Sequence, residues 1–293
     1  MKQLVAPSFS ASDLFDDCVE EISNAALRSR LVAHKPGIED VYASYDAHSQ
    51  TQTWSSLPKA RRGHGDDKIV GNLTKAELVS LYNKGMVSSK GAARKKYDQL
   101  KLAALDECPY CGGCGELIAS EGIGTLDHFL PKARYPAFSI LPINLIPACA
   151  TCNTGMGSKF PTDPNLQPLH PYCDAAHFFE EKWTSLVVSE EIPVVVGFDV
   201  AIPDHWDAKD GARVLQHFKD CKLRSRYRKQ SASDLSSVID QRKTAFRGLS
   251  PEAFRAGLLS VAWNTKLPIN GWKRTLHQGL AASDWFCRFD FAQ

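Results

Sequence analysis

Cys108-Pro109-Tyr110-Cys111 and Cys149-Ala150-Thr151-Cys152 repeat one spacing, with 37 residues between them. Two residues between cysteines make one tight turn that points both thiolates at a single ion. Two such turns complete a tetrahedral four-thiolate site, so Cys108, Cys111, Cys149 and Cys152 are expected to hold a structural Zn2+. A redox C-x-x-C explains one pair and gives the other no reason to exist. The chain has nine cysteines, an odd count that argues against a fully paired disulfide framework. Cys114 reads as a bystander thiol after the loose Gly112-Gly113 turn, and Cys18, Cys173, Cys221 and Cys287 as small buried apolar side chains. The gap between the knuckles exceeds an ordinary zinc-ribbon loop, so something is inserted there.

The insertion reads Gly124-Thr125-Leu126-Asp127-His128-Phe129-Leu130-Pro131-Lys132, then Ile143-Asn144-Leu145-Ile146-Pro147-Ala148 ahead of the second knuckle, with Asn153 directly after Cys152. Residues 123–129 and 143–148 have strand-like content, and Pro131, Pro136 and Pro142 mark a long loop between them. The pattern predicts a hairpin followed by a short helix from about Asn153, with the zinc pinning the base of the first strand to the start of that helix. Singly, each polar residue has a plain reading: a solvated Asp-His pair, or an Asn that turns or caps the chain. Together, Asp127 and Asn153 face each other with two oxygens that suit a hard cation such as Mg2+. His128 falls on the opposite face of the strand, placed for a water approaching a bound phosphate.

Residues 105–172 resemble the HNH, or ββα-metal, nuclease family in its zinc-supported branch. The shared elements are Cys108/Cys111, Asp127-His128-Phe129-Leu130-Pro131, Asn144-Leu145, Cys149/Cys152 and Asn153, in that order. The resemblance implies that His128 is the general base on the attacking water. It also implies that Asp127 and Asn153 hold one Mg2+ or another divalent ion, which stabilises charge on the phosphate and the departing 3'-oxygen. Asn144 is expected to act indirectly, by fixing the loop that aims His128. The products would carry 5'-phosphate and 3'-hydroxyl ends. Two positions depart from the family: Asn153 stands where the final histidine usually is, and Met156 where a lysine is usual. Lys159, one turn further on, is the expected phosphate contact if the helix continues, although Gly155 and Gly157 weaken that helix. Lys132 and Arg134, just after the Asp-His strand, are expected near phosphates. His170, in a His-Pro-Tyr stretch similar to one that follows the module in some bacterial HNH proteins, reads as a structural histidine. The resemblance extends to nucleases of bacterial anti-phage systems, which implies a regulatory ATPase or another defence-system protein as a partner, with housekeeping, mobile-element and restriction roles as alternatives.

The expected fold class is α+β: a mainly helical protein around the module, with a helical region over 1–104, the nuclease module over 105–175, and short strands then helices over 176–293. Apolar residues recur at helical spacing over 12–32, and Thr74-Lys75-Ala76-Glu77 reads as a capping box. Residues 48–67 read as a polar, flexible loop carrying Lys59-Ala60-Arg61-Arg62. Residues 184–200 suggest a hairpin, 207–247 helix, Ser250-Pro251-Glu252 a helix start, and 271–282 a further helix. Hydrophobic residues are 43%, charged residues 23% and net charge +2, ordinary globular values that leave any nucleic-acid contact to local patches. The densest patch is 219–229, in which Arg224, Arg226 and Arg228 are expected to track phosphates. No apolar run is long enough for a membrane helix and no signal peptide is evident, so a cytoplasmic protein without a membrane partner is expected. The resemblance implies a metal-dependent endonuclease, with DNA favoured over RNA as substrate although the site itself does not distinguish the sugars. The alternative is a non-catalytic zinc module that binds nucleic acid or protein. It accounts for the cysteines but gives Asp127, His128 and Asn153 no reason to occur in this order.

Overall fold

Ser10 and Thr74 start helices by the same device. Each hydroxyl accepts a backbone N–H three residues on, and the acid at that position, Asp13 or Glu77, returns to the cap backbone. The computed structural model describes residues 1–104, 107–113 and 124–291, so Cys114 and Ile123 lie outside the described residues. Helix α1 (Ala11–Glu20) buries Leu14, Phe15, Cys18 and Val19. Helix α2 (Ala25–Ala33) is separate from it: the Asn24 side chain accepts from Leu27 N–H and starts a new helix, which divides the apolar spacing of 12–32. Helix α3 (Lys35–Thr51) extends into the segment expected to be loop, and Trp54 beyond it is fully buried. A short ribbon, β1 (Lys68–Val70) and β2 (Leu73–Thr74), leads into α4 (Lys75–Ser80), a π-helical turn at Leu81–Val87, and α5 (Ala92–Leu102).

Strands β3 (Gly124–His128) and β4 (Leu145–Cys149) pair antiparallel, with Asp127 opposite Ile146 and His128 opposite Leu145. Helix α6 (Ala150–Met156) follows without a gap, three residues earlier than expected, because Cys149 is its N-cap and its Sγ accepts from Cys152 N–H. At its other end Gly157 has φ +60° and ψ −152°, a conformation natural only to glycine, and the helix stops there. Lys159 therefore sits on the following loop and not on an extended helix.

The C-terminal part comprises α7 (His177–Glu180), the hairpin β5 (Thr184–Val188) and β6 (Val196–Val200), then α8 (Ala208–Asp220), α9 (Leu223–Lys243), α10 (Pro251–Ala262), α11 (Trp272–Ala282) and α12 (Asp284–Arg288). The helical reading of 207–247 is broken at Lys222, whose left-handed φ of +52° turns α8 into α9. The described residues are thus mixed α/β, about half helical, with small two-stranded antiparallel sheets. No described helix is long and apolar enough to cross a membrane.

Phe15, Trp54, Phe129, Trp183 and Phe286, drawn from every part of the chain, share one hydrophobic core. Burial of such side chains contributes roughly 1.5–3 kcal/mol each. A polar clamp crosses this core. Arg213 of α8 and Asp174 are both fully buried and paired at 2.5 and 2.9 Å. The same guanidinium donates to the Pro168 carbonyl and to Gln52 Oε1.

Candidate functional site

The register of β3 against β4 places Gly124 opposite Cys149, so the hairpin base meets the second knuckle. There the sulfurs of Cys108, Cys111, Cys149 and Cys152, all buried, lie within 4.8 Å of one another, with Cys111 and Cys149 4.0 Å apart. Four thiolates about 2.3 Å from one tetrahedral zinc would be about 3.8 Å apart, so the set fits that ion and could hold it. Backbone N–H groups point at the sulfurs, Cys149 N to Cys108 Sγ at 3.4 Å and Cys152 N to Cys149 Sγ at 3.5 Å. Burial pushes the Cys108 thiol up, so ionising the full set requires the cation itself.

Arg226 completes this cluster. Its guanidinium donates to Cys152 Sγ at 3.1 Å and to Cys111 and Cys149 Sγ at 3.5 Å. Its direction is toward the sulfurs, and not outward along a phosphate track. Four thiolates on a divalent ion carry net negative charge, and a charge-delocalised guanidinium is suited to stabilise it. Cys221 and His217 pack beside them, with His217 Nε2 2.7 Å from the Tyr110 carbonyl. Cys18, Cys221 and Cys287 are buried and Cys173 is half-buried.

The two faces of β3 differ. On one, Asn153 of α6 donates from Nδ2 to Thr125 Oγ1 at 2.7 Å, and Asp127 lies two residues along. Asp127 is only 5% exposed, and its Oδ2 is buried with no hydrogen-bond partner among the described residues. Burial raises its carboxyl to about 7, with the His128 N–H and the Tyr110 hydroxyl partly offsetting the rise. An orphaned carboxyl oxygen is one ligand that a hard divalent ion could take, provided the ion displaces a proton.

On the other face His128 lines a cleft of about 600 Å³. Its Nε2 is 2.9 Å from the Ser139 carbonyl, so the proton belongs on Nε2 and Nδ1 keeps the lone pair. Burial, with Lys132 nearby, lowers the imidazole to about 3 and keeps it neutral. Asn144, fully buried, holds the loop that frames this ring: its Oδ1 accepts from Leu130 N at 2.7 Å, and Nδ2 donates to the carbonyls of Phe138 and Leu130 at 3.0 and 3.2 Å. Tyr45 adds a hydroxyl donor to Asn144 at 3.3 Å.

Arg134 and Lys159 line the cleft with His128, whereas Asp127, Asn153 and Lys132 do not. Lys132 turns to α4's extension instead, its ammonium 4.1 Å over the Tyr82 ring and 3.3 Å from Asn83 Oδ1. Lys59 and Arg62, from the basic segment after α3, enter the cleft from the N-terminal region. No spacing signal links them to His128. His170 is fully buried, stacked on Trp54 and 2.9 Å from the Tyr45 hydroxyl, which makes it a structural histidine. Arg224 and Arg228 are exposed and line a separate groove between α8 and α9, where Arg224 pairs with Asp199 at 2.7 Å.

Fold and site together define an α/β protein built around a four-cysteine cluster that could hold a metal ion, with a cationic, histidine-lined cleft beside it. The chain is 33% identical to protein ea31 of Escherichia phage lambda over 301 residues, covering 98% of this chain and 99% of that protein. It belongs to the ea31 family. No protein-family model matches the chain, and no solved structure matches it.

Proposed function

We propose that this chain is a metal-dependent endonuclease of the HNH type, which hydrolyses phosphodiester bonds of nucleic acid, DNA in preference to RNA. The observation that carries this reading is the setting of His128. Its Nε2–H is fixed on the Ser139 carbonyl, its Nδ1 is unprotonated, and it opens on a cleft lined by Lys59, Arg62, Arg134 and Lys159. A neutral imidazole with an available lone pair is a proton acceptor for a water beside a phosphate. An imidazole as acidic as this one is a weak base in the free protein, and an incoming phosphodiester anion raises it toward the operating pH. Asn144 is a positioning residue: it holds both ends of the loop around the ring. Asp127 and Asn153 are the residues that would hold a divalent ion, with Nδ2 of Asn153 committed to Thr125 and Oδ1 left for the cation. An ion held there would supply charge to stabilise a phosphate and the departing 3'-oxygen, although neither residue lines the cleft beside His128. The four-cysteine cluster serves the fold of the hairpin and helix, through a structural zinc.

The test is cleavage of supercoiled plasmid, single-stranded DNA and an RNA pool with Mg2+ or Mn2+. His128→Ala is expected to cut about 10²–10⁴-fold more slowly. Equal cutting by both proteins, or none by either with any divalent ion, overturns the reading. The second outcome favours the non-catalytic zinc module, which draws its own support from Asp127 being buried and outside the cleft.

A further inference from the structure

Lys59 and Arg62, from the segment after Leu57, form part of the cleft wall. Lys59 Nζ donates to the carbonyls of Phe160 and Pro161 at 2.8 and 3.3 Å, which ties this segment to the loop after α6. Ala60 N donates to the Arg134 carbonyl at 2.8 Å, which ties it to the loop after β3. Neighbouring Arg61 is neutralised by an ion pair with Asp67. Arg62 is different: it is exposed and its Nη2 meets only a neutral hydroxyl, Ser158 Oγ, at 2.8 Å, with no carboxylate partner among the described residues. Arg134 Nε is buried without a hydrogen-bond partner among the described residues. Four cations thus line the cleft against one carboxylate, Asp220, which already accepts from Gln216 at 2.8 Å. Converging cations with unspent donors are stable where an anion joins them. The cleft, at about 600 Å³, is also larger than one phosphate group requires.

We infer that Arg62, with Arg134, forms a second phosphate seat in this cleft, so that the ligand is a nucleic-acid strand presenting two successive phosphates and not an isolated phosphodiester. The inference rests on the reading of the cleft as a nucleic-acid site. Arg62 exchanges its hydroxyl partner for a charge-assisted, bidentate bond to the neighbouring phosphate, while Lys59 holds the wall in place.

The experiment measures binding apart from cutting. In a His128→Ala background, Kd is determined for thymidine 5'-phosphate and for the dinucleotide pTpT, and for a labelled oligothymidine across a salt series. The dinucleotide is expected to bind about tenfold tighter than the mononucleotide, an advantage that Arg62→Ala removes and Arg62→Lys partly restores. The same Arg62→Ala change is expected to lower the slope of log K against log salt by about 0.7. Loss of mononucleotide and dinucleotide binding in equal measure, or no change in either, overturns the second seat. A chain that binds in this pattern but never cuts sinks the nuclease reading alone.

Discussion

The four-cysteine cluster meets one end of a small hairpin and His128 of the cleft stands at the other, yet the two settle their charges in opposite ways. Around the sulfurs every donor is turned inward: two backbone N–H groups and the Arg226 guanidinium point at the thiols. Around His128 the donors stay unspent: Arg134 Nε has no partner among the described residues and Arg62 meets only a hydroxyl. Donors already turned onto the sulfurs suit a set that could hold a metal ion, whereas cations without carboxylate partners leave the cleft with uncompensated positive charge.

Three changes would break or sharpen that contrast. The largest effect is expected from Cys152→Ser or Cys108→Ser. The purified protein should lose its zinc, measured by metal analysis, and melt about 10 °C or more below wild type, since metal binding and folding are one equilibrium at such a site. Unchanged melting before and after chelation would remove the structural role of the cluster.

Next is Asp127→Asn in protein freed of divalent ions. The folded carboxyl is raised to about 7 from an ordinary value of 3.8, so between those values the folded chain keeps a proton that the unfolded chain has released. Stability of the wild type therefore falls as pH rises across that window and levels off above it. The asparagine variant escapes this loss, and should be more stable by about 2 kcal/mol at pH 8 yet level with wild type near pH 4. Denaturant melts at both pH values would show it, and a gap that does not widen with pH would place the carboxyl in water.

The smallest effect belongs to Arg226→Ala. Zinc should transfer to a chromogenic chelator about tenfold faster, as for other losses around a metal's ligands. The salt dependence of oligonucleotide binding should stay as in wild type. A lowered salt slope would return Arg226 to the phosphate track.

Local chemistry was legible where spacing alone determines geometry. Two residues between cysteines suffice to aim two sulfurs, and the alternation of β3 suffices to part Asp127 from His128. Distance along the chain hid the rest. Lys59 and Arg62 reach the cleft from some seventy residues before His128, through contacts that no periodicity encodes. The run at 219–229 carries charge on every face of α9, so nothing in it separates Arg226, which turns inward, from Arg228, which is exposed. Lys132 found an aromatic ring in another segment. Asn24, a short polar side chain able to cap, outweighed the apolar spacing that ran through it.

The clamp between Arg213 and Asp174 bears on any attempt to transplant the central segment. Asp174 lies at the end of that segment and Arg213 on α8, and both side chains are wholly enclosed. A fragment trimmed to 105–175 would lose the guanidinium that pairs with Asp174 and uncover the surface that α8 closes. It would also strip Tyr45 from Asn144. Portability is thus denied to this unit: a transplanted version must carry along α3 and α8.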